Sequence, residues 1–359
     1  MDTNKLEQLA EDIYTCNRSR CGFCLADCPV YRVKGFEAYT SRGKMMIARG
    51  LLEGLIEPSA EVQEVLEGCL LCGYCQARCA LNNLEVFTSL RARMNQEGLS
   101  APQHGHKVER IIEEGYLFER PAPLQREGTA PLYLGCLYQS KPVEAKTIIS
   151  VLERAGLDPL VVDETCCGYF AEASGFEEGF QRIQERFTEV YGDLSGQEIL
   201  TLCPTCTVTL RDRYGLKVKH AIVAVAERME QLNPRQLDLK TTYHDPCHLG
   251  RMLGIFDEPR DILRALGVEV VEMEHSRVFS NCCGGGGGVA DTDPDLALEV
   301  AKNRVRDALE AGAETIITVC PTCEPTLLRA ASRLANEVGV FVDVRGLWDL
   351  LDEALPQQE

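Results

Sequence analysis

Ile199-Leu200-Thr201-Leu202-Cys203-Pro204-Thr205-Cys206 and Ile316-Ile317-Thr318-Val319-Cys320-Pro321-Thr322-Cys323 are one pattern written twice. In each, a short apolar run is cut off by Cys-Pro-Thr-Cys, as expected of a buried strand that ends on a pair of thiols. Upstream, each copy has an adjacent cysteine pair followed by glycine, Cys166-Cys167-Gly168 and Cys282-Cys283-Gly284, and a lone leading cysteine, Cys136 and Cys247. Equivalent cysteines (136 and 247, 166 and 282, 203 and 320) are 111, 116 and 117 residues apart. A repeat of that period is a duplicated domain. The first copy reads as strands at 131–135, 159–162 and 198–202 with helices at 141–155 and 175–191. The second reads as strands at 241–244, 269–273 and 315–319 with helices at 258–266 and 295–310. Strands alternating with helices predict mostly parallel sheets with covered faces. Functional groups in such sheets gather beyond the carboxyl ends of the strands, where these cysteines stand.

Residues 1–125 carry no convincing strand; 6–14, 41–53, 61–67, 85–97 and 107–114 suit helices. Gly, Pro and charge at 119–129, including Arg120-Pro121-Ala122-Pro123, mark a linker. The expected architecture is α plus α/β: an all-helical domain over 1–125, then two duplicated α/β domains over 126–237 and 238–359 in a pseudo-twofold pair. A chain of 359 residues has room for several domains without a disulfide scaffold. With 37 Lys and Arg against 55 Asp and Glu, the net charge of −18 argues against nucleic acid as a partner. No stretch approaches the ~20 apolar residues of a membrane helix, and Met1-Asp2-Thr3-Asn4-Lys5 is not a signal-peptide start. The expectation is a soluble, cytoplasmic protein with no membrane span of its own, peripheral to a membrane only through a partner. Its 18 cysteines then read as metal ligands rather than disulfides.

Cys69-x2-Cys72-x2-Cys75-x3-Cys79 has the spacing of a ferredoxin-type [4Fe–4S] site, in which three close cysteines wrap one cubane and the fourth reaches the other. Cys16-x4-Cys21-x2-Cys24-x3-Cys28-Pro29 is the same run with two extra residues in its first gap. One cubane is therefore assigned to Cys16, Cys21, Cys24 and Cys79, and the other to Cys69, Cys72, Cys75 and Cys28. Zinc, the alternative, normally takes two separated Cys-x2-Cys pairs rather than two three-plus-one runs. Ala80 stands where a proline is expected after Cys79, and the wide Cys16–Cys21 gap gives Cys16 the weakest support by spacing. The long separation of Cys28 from Cys69 favours an all-helical ferredoxin over the compact β type.

The doubled Cys…Cys-Cys-Gly…Cys-Pro-x-Cys pattern resembles the CCG domains of heterodisulfide reductase. The helical two-cluster part resembles that enzyme's electron-entry subunit. The fused order resembles the catalytic subunit of the membrane-linked enzyme and the iron–sulfur subunits of glycolate and lactate oxidases. Thr40-Ser41-Arg42-Gly43-Lys44 and Asp245-Pro246-Cys247-His248 agree with it. The resemblance implies two noncubane [4Fe–4S] clusters, one on Cys136, Cys166, Cys167, Cys203 and Cys206, the other on Cys247, Cys282, Cys283, Cys320 and Cys323. With the two cubanes this makes four clusters and leaves no cysteine of the 18 idle. No fingerprint for a flavin or nicotinamide is present.

The local chemistry suits thiolate ligands. A helix N-terminus after each Cys-Pro-Thr-Cys favours sulfur anions, and Gly168 and Gly284 let backbone approach closely. The glycine run 284–288 reads either as a backbone floor open to substrate beside the second cluster or as a loop that merely accommodates it; it lacks the Lys-Ser/Thr ending of a phosphate loop. Gly284, Gly285, Gly286 and His248 are thus candidate substrate-side residues. Tyr169-Phe170 fills the same place in the first copy and predicts poorer access there. His244 and His248 flank Cys247, either as proton donors to a leaving thiolate or as hydrogen-bond partners of sulfur or backbone. Arg18, Arg20, Arg42 and Lys44 either dock an acidic partner or tune potentials, or form a solvated basic face. Two functions follow from the resemblance. One is an oxidoreductase that reduces a disulfide, or oxidises thiols, at the noncubane pair. The other is a conduit between a flavoprotein dehydrogenase and a quinone- or cytochrome-containing membrane subunit.

Overall fold

A computed structural model describes residues 5–119, 123–194 and 196–356. Met1 to Asn4, and residues 120–122 of the expected linker, lie outside the described residues. Two four-stranded sheets are built on one plan. Strands β1 Ala130–Tyr133, β2 Pro159–Leu160, β3 Ile199–Thr201 and β4 Val218–His220 lie in the order β2-β1-β3-β4. Strands β5 Lys240–Tyr243, β6 Glu269–Val270, β7 Thr315–Thr318 and β8 Asp343–Gly346 lie in the order β6-β5-β7-β8. Every pairing within them is parallel. The repeat read from the cysteines is therefore a repeat of topology. β4 and β8 were not foreseen: Val-Lys-His and Asp-Val-Arg-Gly carry no apolar run, because an edge strand pairs on one side only.

The two units meet reciprocally. Helix Pro142–Arg154, after β1, packs on helix Leu347–Ala354, after β8; the equivalent helix Asp257–Ala265 packs on Ala221–Ala226, after β4. Such an isologous exchange is what a pseudo-twofold axis requires. Leu132, Ile148, Leu152, Ile222, Val225, Ile262, Leu263, Ile317, Trp348 and Leu351 form one core shared by both units.

The N-terminal part is helical, with Ala10–Ser19, Ser41–Leu52, Ala60–Glu67, Asn83–Gln96 and Pro102–Glu114 as its main helices. Ile13, Met45, Ala48, Leu66, Val86, Phe87, Leu90 and Met94 close its core. Thr40 and Ser59 cap two of these helices by accepting from Gly43 N at 3.1 Å and Val62 N at 3.3 Å. The helix foreseen at 6–14 is two, and the second runs on to Ser19, so Cys16 sits on its last turn. Arg20 then ends it in the left-handed conformation, φ 52°. The extra residues between Cys16 and Cys21 are this helix end. No helix among the described residues is long and apolar enough to cross a membrane.

His220 ties β4 to the loop that carries Cys203. Its Nε2 lies 3.0 Å from Leu202 O, and its Nδ1 accepts from Ile222 N at 3.3 Å. The bond at Nδ1 needs a neutral ring, and burial pulls its pKa down to about 4, opposed by the bond to Leu202 O. The unfolded chain, with an ordinary histidine, binds more protons below about pH 6.5. Stability is therefore full above that pH and falls as the pH drops towards 4, by up to about 3 kcal/mol from this group. Urea unfolding between pH 7 and 4.5 should follow that slope, and His220→Gln should flatten it.

Candidate metal centres

The fourth cysteine of each N-terminal run crosses over to the other run's cavity. Cys16, Cys21, Cys24 and Cys79 line a cavity of about 40 Å³; Cys28, Cys69, Cys72 and Cys75 line one of about 30 Å³. The first lies near the surface, with Cys21 exposed. Burial pushes the Cys16 thiol up to about 11, with Cys24, Cys79 and Cys21 adding to the shift. Burial also pushes Cys28 up to about 11, opposed by the charge of Lys44 and reinforced by Cys72 and Cys69. Lys44 is buried in the wall of the second cavity, donates to Tyr39 O, and stands 5.5 Å over the Phe87 ring.

In each α/β unit the five cysteines form one chain of thiol contacts in the same order. In the first, Cys166 hydrogen-bonds with Cys136 and Cys167, Cys167 Sγ stands 3.5 Å from Cys206 Sγ, and Cys206 contacts Cys203. In the second, Cys282 hydrogen-bonds with Cys247 and Cys283, and Cys323 with Cys283 and Cys320. Thiols that accept from a neighbour, Cys247 and Cys283, are held well below the ordinary cysteine range by Cys282. Tyr138, fully buried, feels the charges of both Cys320 and Cys203 and so lies between the two chains. Cys72 packs in one cluster with Cys282, which brings the buried four-cysteine cavity into contact with the second five-cysteine chain.

His248 sits on a single π turn, His248–Met252, with Nδ1 3.4 Å from Cys247 Sγ and its ring edge-on to Tyr169 at 5.1 Å. It helps line a cavity of about 470 Å³ walled by Glu85 and Thr88 of the helical part, Tyr169 and Arg211 of the first unit, and His248 and Arg251 of the second. The glycine run does not face this cavity. A Cβ on Gly286 would stand 2.6 Å from Leu70 O, one on Gly287 would collide with Cys69 O, and one on Gly288 would stand 2.6 Å from His104 Nε2. Gly284 lies against Ala297 O and Gly285 against the Thr322 and Thr326 side chains, so of the two readings of Gly284, Gly285 and Gly286 the open floor is corrected and the accommodating loop kept. The run is glycine because it passes against the backbone of the Cys69 loop, and Gly287 also has φ 64°. Tyr169, expected to limit access to the first set, forms one wall of the open cavity beside His248.

Four thiols around each small cavity and five in each contact chain make a donor set of soft sulfur ligands, which fits iron–sulfur clusters. The comparisons agree. Residues 6–83 match the model of a 4Fe-4S dicluster domain, and residues 131–211 and 241–327 each match the cysteine-rich domain model. The chain belongs to the iron–sulfur proteins that join a helical 4Fe-4S dicluster domain to two cysteine-rich domains. Within that class it is homologous to one of the subunits of the dihydromethanophenazine:CoB–CoM heterodisulfide reductase of Methanosarcina acetivorans, 29% identical over 90% of each chain. It is 28% identical to one of the subunits of the CoM/CoB fumarate reductase of Methanothermobacter marburgensis, over 98% of this chain and 73% of that one. A stretch covering 62% of this chain and 34% of the relative is 31% identical to the EtfAB:quinone oxidoreductase of Syntrophomonas wolfei.

One residue that holds the site together was missed by the sequence reading. Arg91, with no exposure, donates to Leu66 O, Cys69 O, Ala173 O and Gly287 O, each at 2.8 Å, and to Glu67 O at 3.3 Å. The signal was available: Asn83, Val86, Phe87, Leu90, Arg91 and Met94 form the buried stripe of one helix, and a cation on an apolar stripe needs partners. Arg91→Leu should lower stability by roughly 3–5 kcal/mol by leaving buried carbonyls unpaired. Arg91→Lys should recover little in the same denaturant titration, because an ammonium lacks the planar fork.

Proposed function

We propose that the chain is a heterodisulfide-reductase-like subunit that exchanges electrons with a protein partner and reduces a disulfide, or oxidises thiols, beside the second five-cysteine set. The observation that carries this is the 470 Å³ cavity where all three parts meet, with His248 in its wall and against Cys247. Cys16, Cys21, Cys24 and Cys79 would hold one cubane, Cys28, Cys69, Cys72 and Cys75 the other, and the two five-cysteine chains one noncubane cluster each. When bound, these clusters supply one-electron transfer and, at the five-cysteine sites, iron that accepts a thiolate. The protein's residues do the rest. Arg251, Glu85 and the Arg211–Asp212 and Arg213–Glu172 ion pairs give the cavity a polar wall of mixed charge, which suits a polar thiol. Tyr169 fixes the His248 ring, and His248 is the group that can hand a proton to a thiolate formed next to Cys247. The domain limits 1–125, 126–237 and 238–359 belong to the same proposal.

The partners proposed are a flavoprotein and a cytochrome- or quinone-reactive membrane subunit. The 31% identical stretch of an EtfAB:quinone oxidoreductase favours a second reading, a conduit from a flavoprotein to quinone with no thiol chemistry.

Anaerobically prepared protein should carry about 16 iron and 16 sulfide per chain. Cys28→Ser should alter the same cubane signal as Cys75→Ser, and Cys79→Ser the same signal as Cys24→Ser; pairing by sequence run instead would sink the crossed assignment. A small thiol added to the poised protein should shift one noncubane magnetic-resonance signal and leave the cubane signals alone. His248→Gln should weaken the thiol-driven turnover by ~100-fold or more while iron is retained. An unresponsive spectrum, with electron transfer to a flavoprotein intact, would establish the conduit instead.

A further inference from the structure

His244 and Arg304 meet at the second five-cysteine set, and both are fully buried, with 1% and 0% exposure. Arg304 stands on the inner stripe of helix Pro294–Glu310, among Ala301, Val305 and Ala308. Its Nε donates to His244 Nδ1 at 3.1 Å. Its other donors go to His275 O at 2.8 Å, Asp307 Oδ2 at 3.0 Å and Ser280 Oγ at 3.3 Å, so the guanidinium is fixed in place. A guanidinium only donates and stays protonated. His244 Nδ1 must therefore present a lone pair, and the ring proton must be on Nε2, since an imidazolium would set N–H against N–H. That Nε2 has no hydrogen-bond partner. What lies beside the ring is sulfur: a ring nitrogen of His244 and the Sγ atoms of Cys283 and Cys323 lie within 4.8 Å of one another.

We propose that Arg304 locks His244 as an Nε2–H donor aimed at sulfur at the Cys283–Cys323 end of this set, so that His244 is a hydrogen-bond donor to a bound cluster and not one of its ligands. The inference rests on the reading that this set holds a cluster. A buried N–H with no acceptor would lose its full desolvation free energy, and sulfur is the acceptor within reach. The first unit has no counterpart. Three residues before Cys136 stands Tyr133, whose hydroxyl is turned away to Thr165 O at 2.8 Å. The duplicated sets are thus electrostatically unequal. A donor aimed at sulfur favours the state that carries one more electron, so the second set takes up an electron more readily than it would without His244.

The test compares the loaded wild type with His244→Gln, His244→Phe and Arg304→Met by iron analysis, redox titration and pulsed magnetic resonance in D2O. In the wild type a solvent-exchangeable proton should couple to the second noncubane centre, with no strong imidazole nitrogen coupling. His244→Phe should keep all its iron, lose that proton, and shift the reduction equilibrium of this centre alone at least tenfold towards the oxidised form, about 59 mV for one electron. His244→Gln, which returns an N–H near the same place, should recover most of the shift. Arg304→Met should move it the same way with His244 intact, the behaviour of a positioning residue. Iron lost from His244→Phe together with a strong nitrogen coupling in the wild type would make His244 a ligand and overturn the proposal. Unchanged potential and proton coupling in His244→Phe would overturn it equally. A wild type without a cluster at this set overturns both this inference and the cluster assignment before any variant is made. A wild type with these couplings but no response to thiol leaves the inference standing and removes only the disulfide chemistry.

Discussion

A single guanidinium at the junction of three parts sets the arrangement on which the thiol sites depend. Arg91 reaches the Cys69 loop of the helical part, the helix that follows Cys166-Cys167-Gly168, and the glycine run that follows Cys282-Cys283-Gly284. It meets carbonyl oxygens at every point and no carboxylate, so the charge is dispersed over dipoles supplied by backbone. Removing it would take a donor away from each of those buried carbonyls. Gly286 and Gly287 are the complementary half of the same contact: with no side chain there, the second unit's backbone can lie against Cys69 and Leu70. A cation on one side and missing Cβ atoms on the other bring the buried four-cysteine cavity to the second five-cysteine chain.

Duplication has left the scaffold symmetric and the chemistry asymmetric. The sheets share one strand order, and the helices between them exchange equivalent contacts. Yet Cys72 meets Cys282 of the second unit, and Arg251, also of the second unit, donates to Cys72 O at 2.9 Å. His244 occupies the position of Tyr133, and His248 borders a cavity that the first unit closes with Tyr169. A pseudo-twofold pair that meets a third, unrepeated domain cannot present both members to it in the same way. The placement of the helical part and the substitutions within the repeat together make the two thiol sets different.

Nearness to solvent separates the two N-terminal cavities in the same manner. The one around Cys16, Cys21, Cys24 and Cys79 opens towards the surface, with Phe23 largely exposed beside it. The one around Cys28, Cys69, Cys72 and Cys75 is covered and has Lys44 in its wall. Coulomb interactions are screened at the first and much less so at the second. A partner can therefore meet the first directly, while the second is shaped by fixed charges of the protein.

The sequence by itself determined the cysteine grouping, the duplication, the helical character of the first part and the parallel α/β character of the rest. Those follow from spacing and period, which are local properties of the chain. It also held the crossing of Cys28 and Cys79, because in the ferredoxin-type spacing three close cysteines surround one cavity and the fourth, four residues on, reaches the other. Only the tertiary structure decided what the glycine run faces, which histidine is held by an arginine and which borders open space, and why Arg91 and Arg304 are arginines. Each of those depends on atoms brought together from residues 60 to nearly 200 positions apart. A run of glycines looks the same whether a substrate or a neighbouring backbone lies against it, and the choice is made by packing between domains.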